Sequence, residues 1–343
     1  MKAMVLMGVY DIRKEKHPLT LVEMPVPKPE SSEVLLKILA CGVCHTEIDE
    51  IEGRTPPNEY PRIPGHEVVG EIVETGSGVT DRQVGARVGV GWFYSSCGRC
   101  SYCLEGDENL CSEFKATGRD ADGGYAEYMS VPVDSTFPIP DKISNVEAAP
   151  LLCAGAIGYR SLKLTGLSDS SRLGLTGFGG SAHLVMKMAG YMYPDSEVYV
   201  FARNREEREF AMELGAVWAG DTAERSPEKL DCIIDTTPAW KPVVEALANL
   251  VPGGRLVINA IRKENFDKEY LLELSYPEHL WMEKEIKSVA NVSRRDIREF
   301  LELAGRMNIH PRVTEYALVD ANTALVELKT QKVIGAKVLS GTV

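Results

Sequence analysis

The stretch Cys97–Cys111, CGRCSYCLEGDENLC, holds four of the chain's eight cysteines, Cys97, Cys100, Cys103 and Cys111, in a C-x2-C-x2-C-x7-C spacing. Four thiolates so close in sequence can close a tetrahedral shell around zinc. A shell filled by protein sulfur leaves no position for water or substrate, so this site is expected to pin a loop and not to act as a Lewis acid. A catalytic zinc needs three protein ligands and one open place. Candidates are Cys44 in ACGVCHTEIDE, His66 in IPGHEVVGEI and Cys153 in APLLCAGAIGY, too widely separated for spacing alone to group them. Each has a plainer alternative: Cys44 could pair with Cys41 as a redox C-x-x-C, His66 could hydrogen-bond a loop, and Cys153 could be a core thiol.

A second kind of chemistry is written in LGLTGFGGSAHL, where Gly177, Gly179, Gly180 and Ala182 give the G-x-G-x-x-[G/A] arrangement after a strand and at the opening of a helix. Small residues there let the backbone approach a pyrophosphate, whose charge the helix start favours. About 20 residues on, NAD-binding chains carry an acidic residue for the ribose 2′-hydroxyl. This chain has Ala202, followed by Arg203, Asn204 and Arg205. Guanidinium groups suit a 2′-phosphate, so NADP(H) is expected ahead of NAD(H), which stays possible. The alternative is that the two arginines open a solvated helix continued by Glu206 and Glu207.

The elements that must carry these residues fall into two textures. Up to about Val133 short apolar runs alternate with Pro and Gly signals, a β-rich pattern. From Ala154 strand-like and helix-like segments alternate: RLGLTG, SAHLVMKMAGYM, EVYVFA, REEREFAMELGA, AVWAG, DCIIDTT, AWKPVVEALANLV, a turn at PGG, RLVINAI and EIKSVA. Such alternation predicts a six-stranded doubly wound parallel sheet of Rossmann type. The expected domains are residues 1–153, catalytic, with the cysteine loop 97–111; 154–290, dinucleotide-binding; and 291–343, too short to stand alone and returning to the first. That return is read as a helix at SRRDIREFLELAGRM, a strand near Thr314–Ala317, a further helix and a closing strand at VIGAKVL.

In 343 residues, 38 Lys and Arg face 50 Asp and Glu, a net charge of −12 with no basic stripe, which excludes nucleic acid as the expected partner. No apolar run is long enough to span a membrane and no signal peptide is legible, so a cytoplasmic location is expected. In that reducing setting the cysteines read as metal ligands or free thiols rather than disulfides.

Taken together, GVCHTE, PGHEVVGEIVETGSGV, CGRCSYC with NLC, GGYAEY, APLLCAGAIGYRSLK and GFGGSAHL resemble, in order, the zinc-containing alcohol dehydrogenases of the medium-chain dehydrogenase/reductase family, nearest the NADP-leaning bacterial and archaeal branch and similar to cinnamyl alcohol dehydrogenases around LLCAG. The resemblance implies a GroES-like catalytic domain beside the Rossmann domain, and two zinc ions per chain. It implies that Cys44, His66 and Cys153 hold the catalytic zinc, with Glu67 the carboxylate beside it and Glu47, in place of the usual Asp, supporting His66. Thr46 would take the proton of a zinc-bound alcohol, leaving an alkoxide whose hydride passes to the cofactor, and His45 would meet the pyrophosphate. Many relatives carry a relay His where this chain has Asp49, so either Asp49 relays the proton or water reaches the ribose directly, with Asp49 then a solvated surface carboxylate. Trp92 aligns with an aromatic of the alcohol pocket, or is a core Trp. The expected activity is a zinc-dependent alcohol dehydrogenase or aldehyde reductase acting on a small alcohol or aldehyde, in a homodimer or homotetramer. A zinc polyol dehydrogenase is disfavoured by Cys153, where such enzymes carry Glu, and the zinc-free quinone reductases lack both cysteine sets. A non-catalytic zinc-stabilised NADP(H) sensor remains the alternative from another class.

Overall fold

The alternating apolar residues of EVLLKILACGV form the strand Glu33–Val43, around which the first unit is built. One edge of it pairs antiparallel with Val68–Thr75, which continues to Arg87–Val90 and Phe137–Pro138. The other edge is shared: Tyr128–Pro132 pairs with its first half, and Ala336–Ser340 with Ala40–Val43. Val313–Tyr316 runs parallel outside Ala336–Ser340. This is a computed structural model that describes residues 1–331 and 335–341. Val333 and Ile334, at the start of the expected closing strand, lie outside the described residues.

The chain divides into two compact units, Met1–Ala156 with Val292–Val343, and Ile157–Asn291. In the first, Val34, Leu36, Val68, Ile72, Tyr125 and Met129 form one buried cluster with Leu325 and Leu339 from the C-terminal return. The expected helix of that return is Arg294–Met307, opened by reciprocal bonds in which Ser293 Oγ accepts from the Asp296 amide and Asp296 Oδ2 from the Ser293 amide, and closed by Asn308 in the left-handed region.

The second unit carries six parallel strands, β1 (Arg172–Thr176), β2 (Glu197–Phe201), β3 (Trp218–Gly220), β4 (Leu230–Asp235), β5 (Leu250–Ile258) and β6 (Glu285–Ser288), in the order β3-β2-β1-β4-β5-β6. That is the doubly wound dinucleotide-binding order, with the strand order reversing beside β1. The turn expected at Pro252–Gly254 is instead a bulge inside β5: the register with β4 shifts between Leu230 and Cys232, and Gly253 takes φ 73° there. Paired stretches before and after PGG make it an interruption of one strand and not its end. Among the described residues no helix is long and apolar enough to cross a membrane.

Candidate metal centres and dinucleotide turn

Strand Glu33–Val43 ends where α1 (His45–Ile51) begins, so Cys44 is the helix N-cap in extended conformation. Glu47, at the third helical position and fully buried, uses both oxygens. Oε2 accepts from the Cys44 amide at 2.8 Å, fixing the helix start, and Oε1 accepts from His66 Nδ1 at 2.5 Å. His66 therefore presents Nε2, which is buried and without a partner. Burial pushes the His66 pKa down, yet the Glu47 carboxylate holds it well above the usual imidazole value.

Cys153 arrives from elsewhere. Helix Asn145–Pro150 ends in a proline, which cannot donate to the preceding turn, and the chain widens into a π turn, Leu151–Gly155, that carries the thiol. Its Sγ lies 4.0 Å from Cys44 Sγ. Two sulfurs bound to one tetrahedral zinc stand about 3.8 Å apart, given Zn–S bonds of about 2.3 Å. One ligand atom each from Cys44, His66, Glu67 and Cys153 lies within 4.8 Å of the others. The Cys153 thiol, donating to Cys44, outweighs burial and holds Cys44 well below the ordinary thiol range. Glu67 is pushed well up by burial and then by the Cys44 charge, and it fits only because Gly42 has no side chain: a Cβ there would meet the Glu67 carboxyl at 1.7 Å. An orphaned imidazole nitrogen and two sulfurs at bonding separation fit a zinc ion, with Glu67 beside it.

Around this cluster, Thr46 is buried with Oγ1 3.6 Å from Cys44 Sγ, and His45 is exposed. The Trp92 ring stands edge-on to His66 at 5.0 Å and is itself buried, with the Arg119 guanidinium over it at 5.3 Å. Asp49 is buried, not solvated, and its Oδ1 accepts from Arg54 Nε at 2.8 Å and Nη2 at 2.5 Å. The sequence reading missed Arg54; a guanidinium five residues past an acidic helix position was its only signal.

The four remaining sulfurs gather as their spacing implied. Cys97 and Cys103 Sγ are 3.8 Å apart, Cys100 and Cys103 3.5 Å, and all four meet the same 4.8 Å test. Amides of Cys100 and Glu113 donate to Cys97 and Cys111, and backbone donation brings the Cys97 thiol down to about 6. The loop is tied to the C-terminal return by Arg294 on buried Glu108 at 2.7 Å and by Arg295 on the Glu105 carbonyl at 3.0 Å. This donor set fits zinc and leaves no open position.

In the second unit, Gly177 turns the chain out of β1 at φ 74°, where a Cβ would meet Thr237 at 2.9 Å. Gly179 caps α2 (Gly180–Met192), and Ala182 is fully buried under it. Around Gly179 and Gly180 a Cβ would meet no protein atom within 4 Å, so packing inside the chain does not dictate these glycines. After β2, Ala202 is buried and Arg203 exposed. Asn204 caps α3 (Arg205–Glu213) by accepting from the Glu206 amide, and Arg205 pairs with Glu209 at 2.7 Å. Arg203 alone of the three has no side-chain partner among the described residues. Two further groups escaped the sequence reading. Arg208 donates to the carbonyls of Ala202 and Arg203. At the end of β4, buried Asp235 accepts from Thr176 and Thr237 and pairs with Lys263, which also holds the Thr237 and Ala239 carbonyls.

Residues 30–141 match the model of the alcohol dehydrogenase GroES-like domain. The whole chain is similar to a probable alcohol dehydrogenase, AdhA, of Mycobacterium tuberculosis, 42% identical over 344 residues and covering 97% of each chain. Among solved structures it is similar to CAD from Helicobacter pylori complexed with NADP(H), 25% identical with a TM-score of 0.84 over 99% of this chain and 97% of that one. It is also similar to a cinnamyl alcohol dehydrogenase of Sorghum bicolor, 27% identical with a TM-score of 0.83 over 99% and 97%.

Proposed function

Because this chain belongs to the zinc-type alcohol dehydrogenases of the medium-chain dehydrogenase/reductase family, we propose that Cys44, His66 and Cys153 are the ligands at which it interconverts an alcohol and its carbonyl compound. The observation that carries this is the meeting of those three ligand atoms with His66 Nε2 unpartnered. Zinc bound there supplies Lewis acidity, lowering the pKa of an alcohol hydroxyl and polarising a carbonyl oxygen.

The rest belongs to the chain. Glu47 keeps His66 in the tautomer whose Nε2 can ligate. Thr46, buried beside Cys44, accepts the proton of the substrate hydroxyl at Oγ1 and returns it when the reaction runs toward the alcohol. Trp92 covers His66 and excludes water from that side. The ion pair with Arg54 favours a positioning part for Asp49. Glu67 stays beside the ligands, its carboxyl lodged where Gly42 leaves room for it. The four-cysteine loop holds a second, structural zinc.

For the cofactor, NADP(H) is favoured over NAD(H). Its pyrophosphate would lie along Gly177, Gly179 and Gly180, the family resemblance assigns His45 to the same group, and the unpaired Arg203 would hold the 2′-phosphate, Arg205 and Asn204 being engaged within α3. The Helicobacter pylori relative of similar fold is complexed with NADP(H). Reduction of aldehydes is the favoured direction, since cells keep that pool reduced. A cytoplasmic location suits eight unpaired cysteines. Replacing Ala202 by Asp and Arg203 by Ile should move the NADP to NAD ratio of kcat/KM toward NAD by about tenfold or more; an unchanged ratio would show that another element reads the ribose.

The deciding experiment is a steady-state panel of primary, secondary and aromatic alcohols and aldehydes with NADPH and NADH, run with zinc quantification. Turnover with about two zinc ions per chain is expected. About one zinc and no turnover would instead mark a zinc-stabilised cofactor sensor.

A further inference from the structure

Thr46 and Glu50 stand one turn apart on α1, so their side chains leave the same face of the helix. Glu50 is fully buried, and neither carboxyl oxygen has a hydrogen-bond partner in the protein. Every other acidic residue of α1 is engaged: Glu47 holds His66 and the Cys44 amide, and Asp49 holds Arg54. An unsatisfied buried carboxyl opposes folding, so it is retained where something outside the chain completes it. The segment just past α1 repeats the pattern. Thr55, whose amide bonds the Asp49 carbonyl, has a buried Oγ1 without a partner, and with Arg119 it lines an open cavity of about 980 Å³. Arg119 lies over Trp92, and Trp92 against His66, so one buried ring separates this polar ground from His66. A carboxyl group there is an acceptor for a hydroxyl or an ammonium donor.

We propose that Glu50 is a specificity-determining residue that hydrogen-bonds a second donor group, a hydroxyl or an amine, on the carbon chain of the substrate alcohol. This rests on the reading that Cys44, His66 and Cys153 hold the reacting oxygen beside Thr46. One helical turn separates the two Cβ atoms by about 5–6 Å, which puts the second donor about three or four bonds from the carbinol carbon. The preferred substrates are bifunctional, and a plain alkyl alcohol leaves Glu50 unsatisfied.

The test compares 1-pentanol, 1,4-butanediol and 4-amino-1-butanol, matched in length, on the intact zinc-loaded enzyme. The wild type should favour at least one donor-bearing compound over 1-pentanol in kcat/KM by about tenfold or more. Glu50→Met should invert that ratio, partly by improving 1-pentanol, because an apolar chain no longer faces a carboxyl. Glu50→Gln separates the donors: it keeps the preference for a hydroxyl and loses that for an ammonium. Wild-type ratios within about twofold of one, or a ratio unmoved in both variants, overturn the role of Glu50 while leaving the alcohol site standing. Should Glu50→Met fail to fold, the wild-type and Glu50→Gln ratios decide. No turnover of any of the three by wild type carrying two zinc ions would overturn the alcohol-site reading, and this proposal with it.

Discussion

Glu47 shows how a single side chain can serve a helix and a metal ligand at once. A carboxylate at the third helical position is within reach of the N-cap amide, and here the second oxygen is left for His66 Nδ1. Orientation of the imidazole is thereby tied to the start of α1. Cys153, by contrast, depends on a proline-ended helix over a hundred residues away, which is why no spacing rule could join it to Cys44 and only the family resemblance grouped them. The four-cysteine loop was legible from its residues alone, since short loops bring near neighbours together. Cys153→Ala should lower kcat/KM by about 10³-fold or more while about one zinc per chain, that of the loop, remains bound. Activity assays paired with metal analysis check this, and normal turnover in the variant would sink the ligand assignment.

Elements were legible where period and punctuation agreed. The six strands of the second unit follow the alternation read from the sequence, whereas the bulge at Gly253 and the Asp235–Lys263 lock did not show, because both are made by neighbours distant in sequence. The C-terminal return has such a lock too. Lys337 on Ala336–Ser340 pairs with Glu327 of helix Ala321–Thr330 at 2.5 Å, and Tyr316 donates to the same carboxylate at 2.6 Å. The Lys337 hydrogen bond, then that of Tyr316, depresses the Glu327 pKa. A depressed carboxylate contributes stability that is present above its unfolded value of about 4.5 and is lost as pH falls through the lower folded value. Glu327→Gln should therefore lower the urea midpoint more at pH 7 than at an acidic pH below the ordinary glutamate range, where protonation removes the same contribution from wild type. An equal deficit at both pH values would refute the linkage.

At the scale of the whole molecule, the net charge of −12 without a basic stripe argues against nucleic acid as a partner. Edge strand β6 is exposed along its whole length, and Ile286 within it and Trp281 and Met282 just before it add exposed apolar surface. An open edge of that kind suits pairing with a second copy, in keeping with the homodimer or homotetramer expected from the family resemblance. Ile286→Lys should shift the species seen by light scattering toward the monomer; an unchanged mass would place the contact elsewhere.

The shared edge of strand Glu33–Val43 also sets a timetable for biogenesis. Residues 40–43, immediately before Cys44, find their outer neighbour only in residues 336–340. On the ribosome, the stretch leading into the first metal ligand waits with the amides and carbonyls of its outer edge unpaired while some 290 residues, the entire second unit among them, are translated. The second unit is contiguous and can fold as it emerges. The first is a late assembly, and its exposed β edge is the nascent chain's point of vulnerability to chaperone capture, premature metallation and aggregation.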